Sequence, residues 1–329
     1  MDLSIIIVNY RSWGHLQSAF DALLPGFPFD EWEIIVVDNE SDPDLFDGFR
    51  SGFPRIRFIA IPTNSGFAFG ANRGAAEARG EQLIFMNPDV SVDCSGVAAL
   101  MAEKKRLGDI ALLTPRQVDS EGRTQKLYDA FPDLLNHFRS VKGLLRLLRP
   151  EQHPDPRADI KTVVYPDWVG GSFLLINRSD FDVIGGWSED FWLYAEDTDL
   201  CRRARDLGLR AACTPEVTIV HTHGGSSRHS ESVAALSKLE VIISKNVFAQ
   251  RHSKGLRRFC NHLIIALLSL PALSLAAVLN VLTVSRVRAL RLRGRIFSEL
   301  VPYYMNALKT GVWTSPRALA NKGRSRSPS

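Results

Sequence analysis

Three carboxylates fall within four residues at Glu196, Asp197 and Asp199, directly after the aromatic run Phe191-Trp192-Leu193-Tyr194. Crowded acids cost stability through repulsion and desolvation wherever they are partly buried. A carboxylate walled by aromatic rings suits proton abstraction, because such surroundings lift its basicity towards neutral pH. Asp197, with Glu196 beside it, is therefore a candidate general base. Acids are equally at home in the first turn of a helix, where they complement the macrodipole, and residues 200–205 continue with helical spacing. The segment alone leaves both readings open.

Three further runs carry groups that bind ligands. Val-Val-Asp-Asn-Glu-Ser-Asp at 36–42 places Asp38 and Asn39 at the tip of an apolar strand. A carboxylate there can accept hydrogen bonds from the imide N–H of uracil or thymine and from ribose hydroxyls; an acid in that place also serves as a turn or helix cap. Residues 64–74 contain Asn64, Gly66, Phe67, Gly70 and Asn72. Their glycines admit close backbone approach, and the run predicts an exposed helix start suited to phosphate. It is not GxGxxG, which disfavours a dinucleotide fold. Residues 85–90 end a buried run with Asn87 and Asp89. A carboxylate at a sheet edge can hold Mg2+ or Mn2+ against a diphosphate, while Asn-Pro-Asp is also a good turn.

Short β-branched runs at 3–8 and 33–37 read as strands buried on both faces. A helix over 13–24, with Ser12 as its N-cap, separates them. The alternation continues with strands at 56–61, 82–86 and 110–113 and helices over 67–79 and 94–106. Strands alternating with helices imply an α/β fold whose ligands sit at the carboxyl ends of parallel strands. Those ends carry Asn9 and Tyr10, then Asp38 and Asn39, then Asn87 and Asp89. Residues 128–162, with four prolines and a basic amphipathic stretch at 139–149, read as an excursion before strands resume at 163–164, 172–176, 210–213 and 217–220. A helix is expected from 231 to about 250.

From Arg286 onward ten basic residues face one acid, Glu299, leaving 30 basic and 35 acidic residues upstream out of 40 and 36. A mildly acidic body with a basic end implies an anionic surface as partner. Residues 263–285 carry no charge, and their length suffices to span a bilayer. Pro271, Asn280 and basic residues at both ends favour a re-entrant or in-plane segment with both ends cytoplasmic, peripheral or monotopic. Nucleic acid is excluded as a partner, since the basic residues follow an apolar helix rather than interleaving with aromatics. Cys94, Cys201, Cys213 and Cys260 lack metal spacing and read as reduced thiols. The first residues do not form a signal peptide: the apolar run is short and Asp2 precedes it.

The order of these motifs resembles the family 2 glycosyltransferases of GT-A fold, in particular their rhamnosyltransferase-like branch. The resemblance covers about residues 3–228 and rests on VDNESD, NSGFAFGANRG and NPD, then GGSFLLINR at 170–178 and GGWSEDFWLYAEDTDLCRR at 185–203. It implies a Rossmann-like, mostly parallel sheet flanked by helices over 1–228, its nucleotide half about 1–115 and its acceptor half about 116–228. A helical membrane-associating extension follows at 229–311, and 312–329 is expected to be a basic, disordered tail. The resemblance further implies Asp38 for base and ribose, Asp89 with Mg2+ or Mn2+, Asp197 as catalytic base, and a histidine after the last strand, His221 with His223 as its rival. Asn87 replaces the first acid of the family's metal motif, and Ser188 replaces the usual acid after the aromatic.

The activity so implied is inverting transfer of a sugar, L-rhamnose from dTDP-rhamnose or a sugar from a UDP donor, to a lipid-linked or glycan acceptor in cell-surface polysaccharide synthesis. Asn9, Asp38, Asn39, Asn64, Gly66, Phe67, Gly70, Asn72 and Asn87 fall to the donor. Trp168, Gly170, Gly171, Trp192 and Tyr194 could form an acceptor platform, or equally belong to the core. A non-catalytic membrane protein on the same fold would be expected to have lost the acidic pair or the glycine-rich loop; a nucleotidyltransferase would carry a glycine-rich basic loop after the first strand, which 8–12 lacks.

Overall fold

The computed structural model describes residues 1–40, 42–148, 155–222 and 231–318. Ile, Val and Leu fill the central strands, which are buried along their whole length, as strands covered on both faces require. In chain order the elements are β1 Leu3–Asn9, α1 Trp13–Leu23, β2 Trp32–Asn39, α2 Pro43–Gly52, β3 Arg57–Ile61, α3 Phe67–Glu77, β4 Gln82–Met86, β5 Val90–Ser91, α4 Cys94–Leu107 and β6 Ile110–Val118. There follow β7 Tyr128–Asp129, α5 Arg139–Leu148, β8 Trp168–Val169, β9 Phe173–Asn177, α6 Arg178–Ile184, α7 Glu196–Asp206, β10 Arg210–His221, α8 Glu231–His252, α9 Gly255–Leu282 and α10 Arg288–Thr310.

Eight strands form one sheet in the order β3-β2-β1-β4-β9-β6-β10-β5. β1, β2, β3 and β4 run parallel, as do β6 and β10, while β9 is antiparallel to β4 and β6, and β5 to β10. The expected mostly parallel α/β sheet is present. Strand order reverses at β1, so the carboxyl ends of β1, β2 and β4 open on the crevice where such sheets bind ligands. The segments expected at 210–213 and 217–220 are one strand, β10, with an irregular register between Thr214 and Thr218.

Local details depart from expectation for identifiable reasons. Ser12 precedes α1 but makes no side-chain cap; its hydroxyl bonds to Tyr10 O instead. The periodicity predicts no helix over α2, yet Asp42 caps one by accepting from Asp44 N and Leu45 N. Gly70 and Gly74 face the sheet: a Cβ at Gly74 would lie 2.4 Å from Ile6 Cγ2, and one at Gly70 2.9 Å from Val8 Cγ1. These two glycines let α3 lie close on β1 and β2, a helix–sheet packing role.

The chain divides into two units. The first is Met1–Phe131, Gly143–Ser188 and Glu196–Ser226; it holds the sheet. The second is Pro132–Lys142, Glu189–Ala195 and Ser227–Ser329. In it α8, α9 and α10 pack together, and α9 runs through Pro271 without interruption. Gly294 of α10 lies against Ala277 and Asn280 of α9. Within this unit Asp133 pairs with Arg257 at 2.7 Å and His137 bonds to Asn261 at 3.0 Å. Residues 312–318, expected to be part of a loose tail, are packed here, with Ser315 and Ala318 fully buried.

Candidate active site

At the β1/β2 tips, Asn9 Nδ2 donates to Asp38 Oδ1 at 2.9 Å, both side chains being buried. Next to them Asn39 organises the glycine-rich loop. Its amide donates to Asn64 Oδ1 and Gly66 O, and its carbonyl accepts from Ser65 N. Asn64 Oδ1 also accepts from Gly66 N, and Asn64 N donates to Glu40 at 3.1 Å. The two donor motifs therefore build one structure, with Gly66 at φ 90° before α3, a conformation that favours glycine. Gly66 is buried under these contacts. The Asn side chains bond to Ser65 N, Gly66 N and Gly66 O, just ahead of the first turn of α3.

A second cluster sits where β4, β6, β9 and β10 end. Asp89 Oδ1 lies 3.2 Å from His221 Nε2, and His221 Nδ1 lies 3.1 Å from Gln117 Oε1. Ser172 Oγ is 2.9 Å from Gln117 Nε2, and Asn87 N donates to Ser172 O at 2.8 Å. Gln125 Nε2 holds His221 O, and Thr222 bonds to Asp89 O through both N and Oγ1. Burial pushes the Asp89 carboxyl up, but the hydrogen bond and charge of His221 outweigh it and hold it below the usual carboxylate range. Gln117 and Ser172 are members that the sequence reading missed. No local signal marks them, since β6 also carries Thr114 and Arg116, and Ser172 meets Gln117 only through the folded sheet. His223 lies outside the described residues.

The third cluster is one residue further along the same lead-in to β9. Gly171 N donates to Asp197 Oδ2 at 3.2 Å, while Asp197 Oδ1 accepts from Thr198 N at 2.7 Å and from its hydroxyl at 3.2 Å. Desolvation raises the Asp197 pKa above its ordinary value, against these hydrogen bonds. A Cβ on Gly171 would lie 3.1 Å from the Trp187 ring and 3.3 Å from Asp197 Cβ, so a larger residue there would push one of them aside by a few tenths of an ångström. Trp187 is buried and meets Phe67 and Phe85 edge-on at 5.3 and 5.1 Å. Asn72 clamps it: Nδ2 donates to Trp187 O and Oδ1 accepts from Trp187 N, both at 2.9 Å. Asn72, grouped with the donor by its motif, thus holds the aromatic wall behind the carboxylate.

Glu196 is buried at the start of α7, and Asp199 is buried and paired with Arg203 at 2.8 Å. Arg203 also donates to Ile184 O and Gly186 O, so Asp199 ties α7 to the glycine turn. Trp168 Nε1 donates to Ala130 O, with the Lys126 ammonium 5.7 Å from its ring centroid; Gly170 N donates to Leu127 O. Trp192 and Tyr194 belong to the second unit. In the first unit, then, Asp38, Asp89, His221 and Asp197 all stand on the carboxyl edge of the sheet.

Residues 4–160 match the family described as glycosyl transferase family 2. The chain is 28% identical over 235 residues, 70% of each chain, to the low-salt glycan biosynthesis hexosyltransferase Agl10 of Haloferax volcanii. It is 26% identical over 271 residues to the N-acetylglucosaminyl-diphospho-decaprenol L-rhamnosyltransferase of Mycobacterium tuberculosis, covering 76% of this chain and 85% of that one. Its fold is similar to the mannosyltransferase PcManGT of Pyrobaculum calidifontis, solved with GDP-Man and Mn2+, at TM-score 0.52 and 15% identity over 93% and 86% of the two chains. Sheet, motifs and relatives agree: residues 4–160 form a glycosyl transferase family 2 domain, and the protein is a glycosyltransferase similar to rhamnosyltransferases of that kind.

Proposed function

We propose that the protein transfers L-rhamnose from dTDP-rhamnose, with inversion, to a hydroxyl of a lipid-linked glycan at the cytoplasmic face of a membrane. The observation that carries this reading is the convergence of a base-reading carboxylate, a diphosphate-facing Asp–His pair and a desolvated general base on one sheet edge. The mycobacterial relative, named for a rhamnosyl transfer to a diphospho-decaprenol glycan, supports the donor and acceptor class.

Asp38, oriented by Asn9, receives the imide N–H of the base. Asp197 takes the proton of the acceptor hydroxyl as that oxygen bonds to the anomeric carbon. The bond from that carbon to the diphosphate breaks, and the electron pair leaves with the diphosphate. Asp89 and His221 fit a divalent cation, because a hard oxygen and an imidazole nitrogen stand 3.2 Å apart with the far ring nitrogen anchored on Gln117. Two protein donors plus phosphate oxygens is a common way of holding Mg2+ or Mn2+, and among the described residues no group of three or more metal-binding side chains occurs. Such an ion offsets charge on the leaving diphosphate. The experiment is a screen of nucleotide-sugars for thermal protection and for transfer to a prenyl-diphosphate N-acetylglucosamine acceptor. dTDP-rhamnose should protect and turn over; preference for a UDP-sugar removes rhamnose from the reading, and no turnover with any donor removes the enzyme reading.

The membrane contact is assigned to the side of α9. Leu256, Phe259, Leu263, Leu267, Leu275, Val278 and Leu282 are all exposed and fall on one helical stripe, while Ile265, Leu273 and Ala276 face inward. α9 is long and apolar enough to cross a bilayer, with mean hydropathy 2.3, but its packing against α8 and α10 favours lying in the interface. Arg257 and Arg258 at one end and Arg286 and Arg288 beyond the other complement anionic headgroups. The protein should co-float with phosphatidylglycerol vesicles, and Leu267→Glu with Leu275→Glu should cut partitioning at least tenfold per site, from about 1.5–3 kcal/mol of lost burial each. Unchanged flotation would refute the stripe.

A further inference from the structure

Residues 312–318 form a strap anchored deep in the helical unit. The Tyr303 hydroxyl donates to Trp313 O at 3.0 Å, and the Trp313 ring stacks on His262 at 3.8 Å. Ser315 Oγ and Arg317 Nη1 donate to the two oxygens of Glu240, each at 3.0 Å, and Arg317 Nη2 reaches Glu299 at 2.6 Å. Glu240 is fully buried on α8. Breaking one side of such a buried pair is strongly destabilising, because it strands the other charge. The strap is therefore firmly seated.

From this seat it reaches the segment that leads into the acidic pair. Ser315 N donates to Asp190 O at 3.1 Å. From α8, Arg251 pairs with the Asp190 carboxylate, and Ser244 Oγ donates to Leu193 O at 2.8 Å. Residues 189–195 belong to the helical unit, not to the sheet unit that contains Asp197. Their last two members, Tyr194 and Ala195, have φ of 71° and 64°. That left-handed region costs an ordinary residue about 1 kcal/mol or more, and persists where the surroundings over-determine it. The two residues that follow are Glu196 and Asp197.

The geometry points to the strap and α8 as a positioning device: Ser244, Arg251, Ser315 and Arg317 hold 189–195 in the conformation that carries the chain through the Tyr194-Ala195 turn into the catalytic pair. These side chains serve transfer without touching substrate. The inference rests on the reading of Asp197 as the base, and it deepens that reading by giving the helical unit a part in the reaction beyond membrane contact.

The test uses the full chain with Ser244→Ala, Arg317→Ala and Arg317→Lys. In the unliganded protein, amide hydrogen exchange over 189–195 should rise in both alanine variants. With dTDP-rhamnose and a prenyl-diphosphate N-acetylglucosamine acceptor, kcat should fall on the order of 10- to 100-fold, the cost of misplacing a reacting group by about 1 Å. Affinity for dTDP should stay at the wild-type value, and Arg317→Lys should recover part of kcat. Ser244→Ala removes one hydroxyl and keeps the unit folded, so it decides if Arg317→Ala loosens all of α8–α10. Unchanged exchange at 189–195 in Ser244→Ala overturns the proposal, and so does raised exchange with wild-type kcat. The exchange measurement needs neither donor nor base to be known; an active Asp197→Asn enzyme would sink the base reading while leaving that measurement intact.

Discussion

Asp197→Asn should reduce transfer by 100- to 10,000-fold, the usual contribution of a positioned general base, and leave dTDP affinity unchanged. The amide keeps the shape but only one acceptor oxygen, so it serves Gly171 N or Thr198 N and sets its NH2 against the other, and it cannot take the acceptor proton. Desolvation raises the Asp197 pKa above its unfolded value, so its contribution to stability is full below the unfolded value of about 3.9 and is lost as pH rises through the folded one. The wild type should therefore lose melting temperature relative to the Asn variant, whose side chain does not titrate, as pH rises through the raised pKa. In the wild type, kcat should fall as pH drops through the raised pKa. An active variant, or a melting difference between the two proteins that does not change with pH, contradicts the assignment.

Asp89→Ala should abolish the response of activity to Mg2+ or Mn2+ and lower kcat about a thousandfold, the equivalent of about 4 kcal/mol of charge stabilisation on the leaving diphosphate. dTDP affinity measured with Mn2+ should fall to the value measured with chelator. Gln117→Ala tests the same centre from behind. It removes the acceptor at His221 Nδ1, and loss of such an orienting partner costs about 10- to 100-fold in metal affinity. A metal-responsive Asp89→Ala enzyme would end this role for the pair.

Much of this site was legible in the sequence because its signals are local. Buried β-branched runs end in polar tips, and parallel topology gathers those tips on one edge, so Asp38, Asp89 and the strand leading to His221 could be placed without coordinates. Gln117 could not. β6 also carries Thr114 and Arg116, so Gln117 is one polar residue among several, and its part depends on Ser172 and His221, which only strand pairing brings near. Asn72 has a part that its motif does not reveal: the motif lies on the donor loop, but its side-chain amide bonds to Trp187, 115 residues away. The seat of 189–195 and of 312–318 was hidden too, since charge and composition of the latter read as a solvated tail while Glu240 and Asp190 supply partners that no local pattern reveals.

Pro271 sets a depth limit on α9. Lacking an N–H, it cannot satisfy the Leu267 carbonyl one turn earlier, and both residues belong to the exposed stripe. Stranding a carbonyl in hydrocarbon costs several kcal/mol, whereas among headgroups water answers it freely. In the proposed membrane contact the proline would act as a float line, keeping the helix at the level of the headgroups.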